Sequence, residues 1–148
     1  MKKLVPLVLL IFLHSCAKDR LIGDKKILVG TWNWRSSLID DSCVGWTDYT
    51  PESTGKMFHF VFTKKGTIQF YENSTLLSEH NVKFDELDIQ KEGIVESFRE
   101  LSFSIELDGD PENMIYGSGT PDDFQVINFP YTKDGACVER AYNYFRKE

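Results

Sequence analysis

Two stretches of this chain place large apolar residues at every second position, and that period limits the fold more than any other feature. Leu101, Phe103, Ile105 and Leu107 are separated by Ser102, Ser104 and Glu106, while Phe58, Phe60 and Phe62 are separated by His59 and Val61. A repeat of two puts the large residues on one face of a strand, whereas an amphipathic helix needs spacings of three and four. Turn residues bound these runs: Lys65-Gly66, Glu72-Asn73-Ser74, Asp108-Gly109-Asp110-Pro111 and Gly119-Thr120-Pro121.

Read in order, strands are expected from Ile27 through Arg35, over Phe58–Phe62, over Thr67–Tyr71 with Ile68 and Phe70 inward, and over Leu76–Phe84. In the last, Leu76, Val82 and Phe84 share a face with His80. Asp85–Glu96 reads as a short ragged strand and Arg99–Leu107 as a clean one. Met114–Gly117, Phe124–Phe129 and Val138–Arg146 complete the set. Ser36–Gly55 reads as a long polar loop, a length that is uncommon unless the loop covers something or is pinned. About eight closely spaced strands without a convincing helix imply an all-β barrel or sandwich, and three strands in under thirty residues imply an up-and-down meander.

The first residues are set apart by composition. Lys2 and Lys3 precede an apolar run from Leu4 to Leu13, too short to span a bilayer and typical of a cleaved leader. Leu13-His14-Ser15-Cys16 resembles the bacterial lipobox, which implies cleavage before Cys16 and lipid on that residue; an ordinary secretory signal is the alternative. The expected organisation is a signal peptide over 1–15, a lipidated Cys16 with its tether over 16–26, and a β-barrel domain over 27–148. Loss of Lys2 and Lys3 takes the net charge from -6 to -8. Several acyl chains would hold such a protein firmly, since each buried methylene contributes about 0.8 kcal/mol. Ala17 after the cysteine, by resemblance to Gram-negative sorting rules, favours the outer membrane.

Cys43 and Cys137 then remain as an even pair in an oxidising compartment. One follows the first strand and the other opens the last, and those strands are neighbours in a closed barrel. A disulfide between them would be worth at most about 4.7 kcal/mol in the chain-entropy model. Two free thiols are the alternative. Neither has a Cys or His at metal-ligand spacing.

The mature chain resembles the small bacterial lipocalin-like lipoproteins. The likeness rests on Gly30-Thr31-Trp32 in the first strand, on Tyr49-Thr50-Pro51-Glu52-Ser53-Thr54-Gly55, and on the Phe62-Thr63-Lys64-Lys65-Gly66 turn. It implies an eight-stranded antiparallel up-and-down barrel without the long C-terminal helix of full-size lipocalins. It also implies that Gly30 and Trp32 close one end under a basic residue of the last strand. Arg146 is the first candidate and Arg140 the second, with a cation–π contact of roughly 0.5–2 kcal/mol.

An eight-stranded barrel is either filled by its own side chains or holds one small ligand. If open, its walls would be Trp34, Phe58, Phe60, Phe103, Tyr142 and Tyr144, suited to a small hydrophobic molecule. If filled, the Ser36–Gly55 segment becomes the contact surface of an envelope interaction module or of an inhibitor of a secreted enzyme. No basic stripe suggests nucleic acid. His59 and His80, the two mature histidines, lack ligand spacing, and Asp108, Asp110 and Glu112 fall short of a calcium loop. No Gly-x-Ser-x-Gly or phosphate-cradling glycine loop is present, so the sequence points to a non-enzymatic protein without a cofactor or metal.

Overall fold

A computed structural model describes residues 20–92, 97–127, 129 and 138–148. The leader, the lipobox with Cys16, and Cys137 lie outside the described residues. The fold is all-β: a closed eight-stranded antiparallel barrel with one extra strand.

A 3-10 helix at Gly23–Leu28 leads into β1 (Gly30–Asp41) and β2 (Gly45–Tyr49). A four-residue helix, α1 (Pro51–Thr54), precedes β3 (Phe58–Phe62), β4 (Thr67–Glu72), β5 (Thr75–Glu92) and β6 (Ser97–Leu107). Then come β7 (Asp110–Gly119), β8 (Asp123–Ile127) and β9 (Val138–Lys147). Successive strands from β3 to β9 pair antiparallel, and β1 closes the ring by pairing with β3 along Gly30–Asn33 and with β9 along Trp32–Asp41. The upper part of β1 pairs on its other side with β2, which stands outside the ring.

The clean alternations hold. Phe60, Phe62, Ile68, Phe70, Leu101, Phe103, Ile105 and Leu107 all face the interior and are buried, each such side chain contributing roughly 1.5–3 kcal/mol by leaving water. The tight turns follow the sequence too, with Asn73, Ser74, Asp108 and Gly109 all at positive φ, as two-residue hairpin connections require.

Four expectations change. The Ser36–Gly55 segment is not a loop: β1 continues to Asp41, turns on an Asp41 carboxylate that accepts from Cys43 N–H at 2.8 Å, and returns as β2. The α1 turn follows, capped by Thr50 and closed by Gly55 in the left-handed region. The hairpin is hard to read in the sequence because Arg35 is a bulge, polar Ser37 takes the buried place before buried Ile39, and β2 has no buried residue to impose alternation. Leu76 is exposed instead of sharing a face with Val82. A register shift between Phe70 and Tyr71 accommodates Leu77 as a bulge and turns Leu76 outward.

The two expected strands over 76–84 and 85–96 are the single β5, eighteen residues long. It bends at a second shift near Asp85, after which Leu87 and Ile89 pack on the core. Finally, the packed domain starts before Ile27, because Leu21 is wholly buried and the 3-10 helix folds over the barrel end.

Candidate functional site at the barrel interior and the projecting hairpin

The closed end is built from Trp32. Its indole Nε1 donates to the Leu28 carbonyl at 2.8 Å, so the 3-10 helix lies across the ring with Leu21 and Leu28 beneath it. The basic residue over Trp32 is Lys147, not Arg146. Trp32 and Lys147 are cross-strand partners, and the Lys147 ammonium lies 5.3 Å from the ring centroid and donates to the Ile27 carbonyl at 2.7 Å. Burial holds the Lys147 amine below its ordinary range, with Asp122 opposing. Arg146 pairs in register with Asn33, so its side chain leaves on the outer face and forms a bidentate pair with Asp123 at 2.8 to 3.1 Å. Arg140 faces Asp40 far from Trp32 along the strand. Gly30 is needed where the resemblance puts it: at φ 137°, a β-carbon there would stand 3.0 Å from Lys147 Cε.

Above that cap the interior is a stack of rings. Phe60 has its centroid within 6.4 Å of Trp32, Phe62, Phe70, Phe124, Phe129 and Phe145. Phe103 packs edge-on to Phe62 and Phe124. A ligand-sized void would leave the rings lining it accessible to water, yet Phe60 is 2% exposed, Phe103 4% and Trp34 7%. Among the described residues, concavities of about 290 to 350 Å³ lie on the outer wall, against β5–β6 and across β7–β9.

The six residues expected to line a pocket therefore separate. Trp34, Phe60 and Phe103 are buried against other side chains, and Phe58 is half-buried, edge-on to Trp34 at 5.6 Å and to Phe129 at 6.1 Å. Tyr142 and Tyr144 point outward. Trp34 pairs with Phe145 and Ser37 with Asn143, so the inward residues of β9 are Asn143 and Phe145. The tyrosine spacing was right for one face but identified the wrong one.

Sequence reading also missed a buried polar chain beside Trp34. Its Nε1 donates to Ser37 Oγ at 2.8 Å; Ser37 donates to Asn143 Oδ1 at 2.6 Å, and Asn143 Nδ2 donates to the Val126 carbonyl at 3.3 Å. A register shift between Trp34 and Ser36 makes Arg35 a bulge and brings Ser37 inward, which no alternation pattern would show.

The projecting hairpin carries the most exposed apolar surface. Val44 stands at its turn, and Trp46 is 54% exposed while stacking on Tyr142 with centroids 6.1 Å apart. Cross-strand register continues this face through exposed Ile127 and Tyr116, which pair with one another. Asp40 is the direct partner of Trp46, and Asp41 and Asp48 flank it. Among the described residues β2 pairs only with β1, and no described strand covers its second edge.

The fold is consistent with a lipocalin-like barrel; among the described residues its Trp32 end is packed with the chain's own rings, while Phe58, Phe84, Leu87 and Ile89 are partly buried. Comparison with known proteins yields no matching family model, no matching curated protein and no matching solved structure.

Proposed function

We propose that this is a lipid-anchored cell-envelope protein whose filled barrel serves as a rigid support for a protein-contacting hairpin. The observation that supports the reading is the near-zero exposure of Trp32, Phe60, Phe62, Phe70 and Phe145, which pack as a core. A barrel is also compatible with a small apolar ligand; at the Trp32 end one would have to displace packed aromatics.

The contact chemistry follows from the hairpin. The open edge of β2 can accept an added strand, and Trp46 offers an anchor between acidic neighbours. The partner that fits is an extended segment carrying basic and apolar residues. Lipid at Cys16 of the Leu13-His14-Ser15-Cys16 motif would hold the domain at the outer membrane. A Cys43–Cys137 disulfide would stiffen the hairpin; Val138, the residue after Cys137 in sequence, pairs with Asp41.

A photo-crosslinking residue at position 46 or 44, compared with one at the distant turn residue Lys65, tests the reading in intact cells. A discrete protein adduct from the hairpin sites alone, lost on adding basic competitor peptide, is expected. Equal adducts from all three positions would overturn it, as would a lipidic molecule of defined mass retained by the purified protein in native mass spectrometry. Cys16→Ser should release the protein from the membrane fraction.

A further inference from the structure

On the inner face of β5, Ser78 and His80 stand two residues apart, so their side chains are neighbours. Their cross-strand partners Phe70 and Ile68 are both buried, and the Phe70 ring lies edge-on to the imidazole at 6.0 Å. The β6–β7 turn brings a carboxylate to the same ring. Asp108, at φ 55°, donates its N–H to the Asn81 carbonyl at 2.8 Å, while its Oδ1 accepts from Asn81 N–H at 2.7 Å. Held at both points, it directs Oδ2 to His80 Nδ1 at 2.7 Å. On the other side of the ring, Nε2 lies 2.9 Å from Ser78 Oγ.

The proton positions follow from the acid. Partial burial pushes the Asp108 carboxyl up, but the Asn81 backbone N–H, the His80 ring and the Asn81 side chain together outweigh it, leaving the group below its ordinary range. At neutral pH the carboxylate is ionised and can only accept, so His80 Nδ1 carries the proton. In the neutral ring Nε2 is then an acceptor, and the hydroxyl of Ser78 donates to it. A carboxylate that merely tied the turn to β5 would need no serine on the far nitrogen. Hydroxyl, base and orienting acid in that sequence form the constellation that activates a nucleophile.

We propose that Ser78 is an activated nucleophile accepting acyl groups from small esters, with His80 as its base and Asp108 as a positioning residue. Ser78 lies directly across from Phe70, whose apolar ring favours an apolar acyl portion. In the acylation step Ser78 Oγ bonds to the carbonyl carbon while its proton passes to His80 Nε2. The carbon–oxygen bond to the leaving group then breaks, and that oxygen takes the proton from Nε2. Water, deprotonated by the same nitrogen, then attacks the acyl carbon; the carbon–Ser78 Oγ bond breaks, Oγ takes the proton back from Nε2, and the carboxylic acid leaves. Activated esters are the expected substrates, because a good leaving group lessens the demand for oxyanion stabilisation.

The test uses the full-length chain with p-nitrophenyl butyrate and a fluorophosphonate, with the adduct mapped by peptide mass spectrometry. Modification of Ser78 is expected, and Ser78→Ala, which removes one oxygen and is checked for retained fold by circular dichroism, should abolish both adduct and turnover. His80→Gln should slow labelling by about 10²-fold or more, the contribution of a general base. Asp108→Asn should slow it as well and move the ring proton from Nδ1 to Nε2, read from the imidazole ¹⁵N shifts. A purely structural carboxylate would not couple those two changes. Labelling at other residues, or Ser78 labelling that persists unchanged in His80→Gln, would overturn the proposal.

Discussion

The Phe103 ring lies directly against Gly117, so that a β-carbon at 117 would stand 2.2 Å from the ring's Cζ. The two are cross-strand partners on β6 and β7, and the absence of a side chain on one lets the other fill the barrel wall. Gly117→Ala must displace a ring held edge-on by Phe62 and Phe124, an overpacking cost of typically 1–3 kcal/mol. Phe103→Leu alone loses packing. Combined, the two changes should cost less than their sum, because the smaller side chain admits the methyl group. Urea unfolding of the two single variants and the double variant measures the coupling; strict additivity would show that the contact does not matter.

Lys147 and Arg146 give a second contrast from adjacent positions. Lys147→Met removes a cation–π contact of about 0.5–2 kcal/mol and a hydrogen bond to Ile27 of about 0.5–1.5 kcal/mol, while the retained chain still covers Trp32. A loss of about 1–2 kcal/mol is expected. Arg146→Ala removes only a solvated pair with Asp123 and should leave the unfolding midpoint unchanged. The reverse ranking would restore Arg146 as the residue that closes the barrel.

That contrast also shows what sequence can and cannot supply. Gly30-Thr31-Trp32 indicated a capped barrel end and a basic partner from the last strand, because a ring that large must be covered. It could not choose between 146 and 147, since one step along a strand exchanges faces and only the register with Trp32 decides. The same limit misplaced Tyr142 and Tyr144. Phe58–Phe62 and Leu101–Leu107 were legible because they are regular strands facing one core. Bulges at Arg35, Leu77 and Asp85 broke the period elsewhere, hiding Ser37 and the true length of β5. The Ser78–His80–Asp108 group was invisible for another reason: its acid arrives from a turn 28 residues beyond the histidine, and no short motif encodes that approach.

The Trp34–Ser37–Asn143 chain should behave as a unit. Asn143→Leu removes the acceptor for the Ser37 hydroxyl and the donor to the Val126 carbonyl, in a site where every described buried side-chain nitrogen and oxygen is satisfied. Each stranded group costs about 1–3 kcal/mol, so a loss of roughly 2–4 kcal/mol is expected. Near-ultraviolet circular dichroism should change as Ser37, no longer held by Asn143, ceases to fix the Trp34 ring. If the variant is as stable as wild type, the polar chain is dispensable packing.

His59 supplies the pH dependence. It stacks on Tyr71 with centroids 4.6 Å apart and planes 7° from parallel. Burial pushes its pKa below the ordinary 6.5, with Glu148 opposing weakly. As pH falls through 6.5, the unfolded chain binds the proton first, so stability declines until the folded-state pKa is passed and then levels off. Asp108 acts in another window: its contribution is present above the ordinary carboxyl value of 3.8 and fades only below it. Between pH 7.5 and 5 the decline attributable to His59 should therefore be separable. Urea midpoints for wild type and His59→Gln at those two pH values measure it, with the smaller decline expected in the variant. Equal declines would mean that the ring takes up its proton in the folded protein as easily as in the unfolded chain.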